Sequence, residues 1–190
     1  MHSRLWNGLV CVALLSMLGC GAPTSKPGVG AEVAPERTYT TRDFSFVLPS
    51  GWIETPERSV ELDGDVSSGA AVAPRRSAPN TVVAVLAYTV GDSETETLAG
   101  RRDWFEWYSD TNDALFTRAP SEVALAGGPA IEGSLRWPAP AGDLIDVDFV
   151  RSVRGGVMYL IQCAAEPADR AAIRAGCGSI VKSFRASPRR

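Results

Sequence analysis

The stretch Tyr39-Thr40-Thr41-Arg42-Asp43-Phe44-Ser45-Phe46-Val47-Leu48-Pro49-Ser50-Gly51-Trp52 decides how this chain is read. Phe44, Phe46 and Leu48 recur with a period of two, which puts apolar side chains on one face of a strand. Pro49 and Gly51 suit positions i+1 and i+3 of a type I turn that ends the strand. Further along, Asn80 to Val90 is a β-branched run, again with period-two character. Phe116–Leu125, Gly127-Gly128-Pro129 and Ala130–Trp137 read as two strands joined by a glycine turn. Asp143–Arg154 and Val157–Cys163 form a second such pair across Gly155-Gly156. In its first strand Ile145, Val147 and Phe149 share one face and Asp146 and Asp148 the other, so one face is buried and one is wetter.

Two helices interrupt the strands. Ser93-Glu94-Thr95-Glu96 is a capping box, and the helix after it is expected to run to about Ser109. A second helix follows Pro167, a good first-turn residue, and continues to Phe184. There Ile173, Cys177, Ile180 and Phe184 form one narrow apolar stripe. The order of strands, helix, antiparallel strands and helix predicts an α+β fold: an antiparallel β-sheet flanked by α-helices. The segment 55–79 reads as irregular.

The opening Phe-x-Phe-x-Leu-Pro-x-Gly-Trp at Phe44–Trp52 resembles the start of PsbP-like domains, named for an extrinsic subunit of photosystem II. The mid-chain helix, the Gly-Gly-Pro-Ala hairpin and the ending Ile180-Val181-Lys182-Ser183-Phe184 are similar to that superfamily too. It includes many bacterial lipoproteins and a yeast Ran-binding import factor. The resemblance covers nearly all of 38–186 and implies a fold, an antiparallel sheet between helices. It implies no activity, because members share no catalytic residues.

The chain has 190 residues, with 45% hydrophobic and 22% charged, an ordinary globular composition. After Met1-His2-Ser3-Arg4 comes an apolar run from Leu5 to Leu18, short for a membrane span of roughly 20 residues, as expected of a secretory signal over 1–19. Leu15-Ser16-Met17-Leu18-Gly19-Cys20 resembles a bacterial lipobox, with Met17 in place of the usual leucine. The resemblance implies that the Cys20 sulfur receives diacylglycerol and becomes the new N-terminus. Residues 21–37 are rich in Gly, Pro and Ala and read as a flexible tether with a reach of about 20–25 Å. Gly21 rather than Asp after the cysteine fits the outer membrane if the host has two. The expected organisation is therefore signal 1–19, lipidated Cys20 and tether 20–37, one domain over 38–186, and a tail 187–190. The domain would face the periplasm or the exterior. Cys163 and Cys177 remain as an even pair in an oxidising compartment. Cys163 shares a strand face with Tyr159 and Ile161, and Cys177 lies on the helix stripe. The outward and returning path lengths nearly cancel, so a Cys163–Cys177 disulfide is expected.

The same counts narrow the chemistry. The one histidine is His2, which leaves with the leader, so neither a Ser-His pair nor a His-ligated zinc site can form. No phosphate-binding G-x-x-x-x-G-K loop occurs. A net charge of −3 gives no basic surplus for nucleic acid. Asp143, Asp146 and Asp148, or Asp63 and Asp65, could hold a hard cation. They read better as the solvated face of a strand and as turn residues, so no metal and no cofactor is expected. Trp104-Phe105-Glu106-Trp107-Tyr108 is the richer signal. One helix face cannot bury four aromatics: Leu98, Phe105 and Tyr108 can turn inward, which leaves Trp104 or Trp107 nearer solvent beside Arg101 and Arg102.

The favoured reading is a non-enzymatic envelope lipoprotein that binds a protein partner or helps an assembly, with Trp104, Trp107, Arg101 and Arg102 as its patch. The rival is a carrier or sensor of a small apolar ligand held between the sheet and the 55–79 loop. A hydrolase using carboxylates stands third. Anchoring gives the first prediction. Wild-type protein expressed in a bacterium should partition into the detergent phase, and Cys20→Ser should move to the aqueous phase. Identical aqueous partitioning of both forms would remove the lipoprotein reading.

Overall fold

Phe44, Phe46 and Leu48 are all buried along strand β2 (Phe44–Leu48), while Ser45 and Val47 between them are half-buried. Strand β1 (Arg37–Thr40) pairs antiparallel with it, and Thr41 makes the turn by accepting the Asp43 and Phe44 N–H groups on its hydroxyl. The chain leaves β2 through a tight turn in which the Trp52 N–H donates to the Pro49 carbonyl at 3.1 Å. Gly51 is its third residue, with φ of 78°, a conformation that glycine adopts without strain. The turn is thus shifted one residue from the sequence expectation: Pro49 opens it, and the glycine stands where positive φ is needed.

In this computed structural model residues 36–58, 66–90, 98–111, 113–138 and 144–187 are described, the backbone alone for 98–101. The other strands are β3 (Trp52–Glu54), β4 (Val66–Pro74), β5 (Val82–Thr89), β6 (Leu115–Leu125), β7 (Gly128–Pro138), β8 (Leu144–Arg154), β9 (Val157–Ala165) and β10 (Arg185–Ala186). Helix α1 spans Leu98–Thr111 and α2 Arg170–Ser183, the latter entered through a 3-10 turn at Pro167–Asp169. Seven strands form one antiparallel sheet in the order β3-β4-β5-β9-β8-β7-β6, and β1-β2-β10 form a small second sheet. Both expected hairpins are present. Leu125 pairs with Gly128 across Ala126-Gly127, and Arg154 with Val157 across Gly155-Gly156. All four turn residues have positive φ, the two-residue loop geometry that suits the twist of paired strands.

Strand alternation sorts the sheet into two faces. Val83, Val85, Ala87, Tyr159, Ile161 and Cys163 point to one side, where Phe44, Phe46, Phe184 and the α2 residues Ile173 and Ile180 cover them. Ala84, Leu86, Leu160, Val147 and Phe149 point to the other, where Phe105 and Tyr108 of α1 cover them. The described sheet therefore lies between helices. No helix among the described residues is long and apolar enough to cross a membrane.

Several expectations change. Residues 66–74 are not loop: they are β4, a strand hydrogen-bonded between β3 and β5. Ala70, Ala71, Val72 and Ala73 are buried on both faces, so the alternation that marks a half-exposed strand is missing. A ligand cannot lie between the sheet and a 55–79 loop when 66–74 is itself part of the sheet. The chain end also adds β10, whose Arg185 and Ala186 pair with Ser45 and Phe44, and Ser187 donates its N–H to the Asp43 carbonyl at 2.8 Å. The capping box at 93–96, Cys20 and the tether through 35 lie outside the described residues.

Three links hold the α2 side together. Cys163 of β9 and Cys177 of α2 are joined by a disulfide, with Cα atoms 6.1 Å apart. Closing a loop of this length is worth about 3 kcal/mol in the chain-entropy view. Gly176 lets α2 approach the Trp52 ring, because a Cβ there would overlap the indole. Asp43, buried beside Phe44, accepts hydrogen bonds from Ser68 Oγ at 2.6 Å and Ser67 Oγ at 2.8 Å, tying the β1–β2 unit to β4.

Burial alone would raise the Asp43 carboxyl, but the hydrogen bonds from Ser68 and Ser67, and Arg42 beside it, hold it below its ordinary value of 3.8. A carboxyl held low in the folded state binds its proton more readily once unfolded. Its stabilisation is full above the unfolded value and fades as pH falls through the folded one. Asp43→Asn should therefore cost about 1–3 kcal/mol in urea unfolding near pH 7 and less at an acidic pH below the ordinary value of 3.8. An equal loss at both pH values would mean that the charge plays no part in this joint.

Candidate functional site

Helix α1 is seated by an aromatic cluster. Phe105 is fully buried over Gly133 of β7, where a Cβ would come within 3.1 Å of the ring. The Tyr108 ring lies 5.1 Å from Phe149 and 6.0 Å from Trp137, and its burial raises the phenol to about 12, so it stays neutral. Trp104 is half-buried, edge-on to Phe105 at 5.2 Å and stacked on Tyr108 at 5.1 Å. The Arg151 guanidinium, only 1% exposed, lies 5.2 Å from the Trp104 ring, and its Nε–H points at the Met158 sulfur at 3.0 Å. Trp104 is therefore a structural ring over a buried cation, not a free surface residue.

Trp107 differs. It keeps 57% of its surface exposed, and among the described residues its one ring contact is an edge-type contact with Tyr108 at 6.4 Å. Arg102 is exposed on the same helix, and the Arg101 side chain lies outside the described residues. The four residues expected to form one patch are thus divided: Trp104 supports, and Trp107 and Arg102 face solvent. Leu115 and Phe116, exposed at the start of edge strand β6, add apolar surface that the sequence reading missed. Phe116 opens the expected strand and Leu115 lies just before it, and nothing in the sequence shows that β6 lies at an edge. Pro120 and two irregularities in the β6–β7 pairing protect that edge from pairing with another strand.

A second site lies on the α2 face of β6, β7 and β8. It is a cleft of about 520 Å³ lined by Thr117, Arg118, Ser134, Arg136, Asp146, Asp148, Arg170 and Arg174 over a floor of Cys163, Ala165 and Ile173. Strand register builds it: Arg136 stands opposite Asp146, and Ser134 opposite both Asp148 and Arg118. Asp146 takes Arg136 Nε on one oxygen at 2.6 Å and pairs with Arg170 Nε through the other. Arg118 pairs with Glu132 at 2.5 Å and donates from Nε to Ser134 Oγ at 3.2 Å, and Ser134 in turn donates to Asp148. Asp146 and Asp148 are therefore not a plain solvated face: both sit in a network with arginines. Both oxygens of Asp146 and one of Asp148 are taken up by these partners, and no group of three metal-ligating side chains occurs among the described residues. Asp63, Asp65 and Asp143 lie outside them. The hydrogen bond and coulombic pull of Asp146 raise Arg136 further above its ordinary value, so it is always charged. The cleft is polar and offers no apolar cavity of the kind the carrier reading requires.

No protein-family model matches the sequence, and no curated protein matches it. Solved structures do share its fold. The solution structure of the cyanobacterial PsbP (CyanoP) from Synechocystis sp. PCC 6803 aligns over 87% of this chain and 100% of its own, with a TM-score of 0.58 at 13% identity. LpqN of Mycobacterium tuberculosis, a protein involved in cell envelope biogenesis, aligns over 81% of this chain and 86% of its own at 14% identity, with a TM-score of 0.49. A Bacteroides thetaiotaomicron protein aligns over 76% of this chain and 45% of its own at 11% identity, with a TM-score of 0.48. The last two scores are too low to carry an argument. The first establishes that the fold of this chain is PsbP-like.

Proposed function

We propose that this chain is a lipid-anchored protein of a bacterial envelope that works by holding a protein partner, without catalysis, and that the outer face of α1 makes the contact. One observation carries the reading. Trp107 is a large aromatic held out to solvent on a helix whose inner face is locked by a ring cluster. A rigid, exposed tryptophan loses little freedom on binding and supplies a large apolar area, which is why such residues anchor interfaces. Exposed Arg102 would suit acidic groups around an apolar recess on the partner. The disulfide between Cys163 and Cys177 supports an oxidising, extracytoplasmic location. The lipobox-like sequence ending at Cys20 supports anchoring, the outer membrane being the destination in a host with two.

The two tryptophans should respond differently. Trp104→Ala removes a ring packed on Phe105, Tyr108 and Arg151 and should lower the unfolding free energy by about 2–4 kcal/mol. Trp107→Ala should leave thermal stability nearly unchanged. A photo-crosslinking residue in place of Trp107, in intact cells, should yield one dominant protein adduct, and the same probe at exposed Lys182 on α2 should not. Equal or absent adducts at both positions would reject the α1 surface. Turnover of a substrate by the purified chain, abolished by one Asp or Glu substitution, would reject the non-catalytic reading.

A further inference from the structure

We propose that the polar cleft on the α2 face of the sheet is a binding site for a dianionic phosphate monoester. It lies across the sheet from α1, so it stands independently of the partner surface. The argument starts from how its arginines are held. Arg136 of β7 donates from Nε to one oxygen of Asp146, and Arg170 of α2 makes an ion pair with the other, so a single carboxylate draws together guanidinium groups from two different elements. No terminal guanidinium nitrogen of either arginine makes a hydrogen bond among the described residues. Two forks with spare donors are thus pre-positioned at the edge of an open cleft. Arg174, one helical turn beyond Arg170, is exposed and makes no ion pair among the described residues.

Charge points the same way. Four arginines and two aspartates line the cleft, an excess of two positive charges, with Glu132 just outside it drawing on Arg118. A phosphate monoester carries close to two negative charges near neutral pH. Acceptor number favours phosphate over a carboxylate ligand: a phosphate monoester offers three terminal oxygens to the spare guanidinium donors of two elements, and a carboxylate only two. The floor is stiff, because Cys163 is tied to Cys177 and Ile173 of α2 is buried against the sheet. A cleft of about 520 Å³ has room for more than inorganic phosphate, so the ester's organic part can be accommodated as well. The phosphate could belong to a soluble metabolite or to the headgroup of a phosphatidic acid, and the chemistry of recognition is the same.

The test uses the full chain in detergent micelles. Calorimetric titration with inorganic phosphate and with glycerol 3-phosphate should give saturable binding that weakens as sodium chloride is raised. Vesicles of phosphatidylcholine with and without phosphatidic acid form the second arm. Binding to glycerol 3-phosphate assigns a soluble ligand, and selective binding to phosphatidic acid vesicles alone assigns a headgroup; both uphold the phosphate site. Arg170→Gln should weaken binding roughly tenfold and Arg174→Gln about threefold, the scale of losing a charge-assisted hydrogen bond or a neighbouring charge. Circular dichroism checks that Arg170→Gln is folded; if it is not, Arg174→Gln decides. Absence of saturable binding in both arms would overturn the proposal, and so would wild-type affinity in Arg174→Gln together with any folded Arg170→Gln.

Discussion

The central strands β5 and β9 are buried on both faces and, Gln162 apart, lined by apolar and aromatic side chains, and almost everything else in the molecule answers to that. Every residue of β9 is buried, as are the first seven of β5. A sheet with two apolar faces must be covered twice, since leaving either face wet would forfeit about 25 cal/mol for each Å² of apolar surface. One face receives α1. The other receives α2 together with the small β1-β2-β10 sheet, which explains why the first and last described strands meet on β2.

The two covers are fastened differently. On the α2 side the fastening is covalent and polar: the Cys163–Cys177 disulfide, the close approach of Gly176 to Trp52, and the Asp43 carboxylate that joins β2 to β4. On the α1 side it is a pack of rings around Phe149, with Arg151 beneath Trp104. Such a pack holds a helix rigidly by its inner face and leaves the outer face free, so Trp107 can be both fixed and exposed.

The cleft arises where a cover stops. α2 packs chiefly over β9, β5, β4 and β2, away from the β6–β7 end of the sheet. On that uncovered strip the alternating positions carry Arg118, Ser134, Arg136, Asp146 and Asp148 in place of apolar residues, and the first turns of α2 add Arg170 and Arg174 along its border. The result is a polar recess with an apolar, disulfide-linked floor, built from five elements.

The sequence by itself determined the strand at Phe44–Leu48, both glycine hairpins and the stripe of α2, because each rests on local periodicity or turn chemistry within about a dozen residues, while the PsbP-like fold was implied by a resemblance in motifs spread along the chain. It could not reveal β4, since a strand buried on both faces loses the alternation that marks it. Nor could it reveal β10, whose two residues become a strand only because β2 lies beside them. Residues on one helix could be sorted into an inward and an outward set, but only tertiary packing decided that Trp104 is a supporting ring and Trp107 an exposed one. The arginine cleft was the least legible. Arg118, Arg136, Arg170 and Arg174 are scattered over more than fifty positions, each ordinary in its surroundings. What joins them is inter-strand register and the seating of α2, long-range geometry that no local pattern encodes.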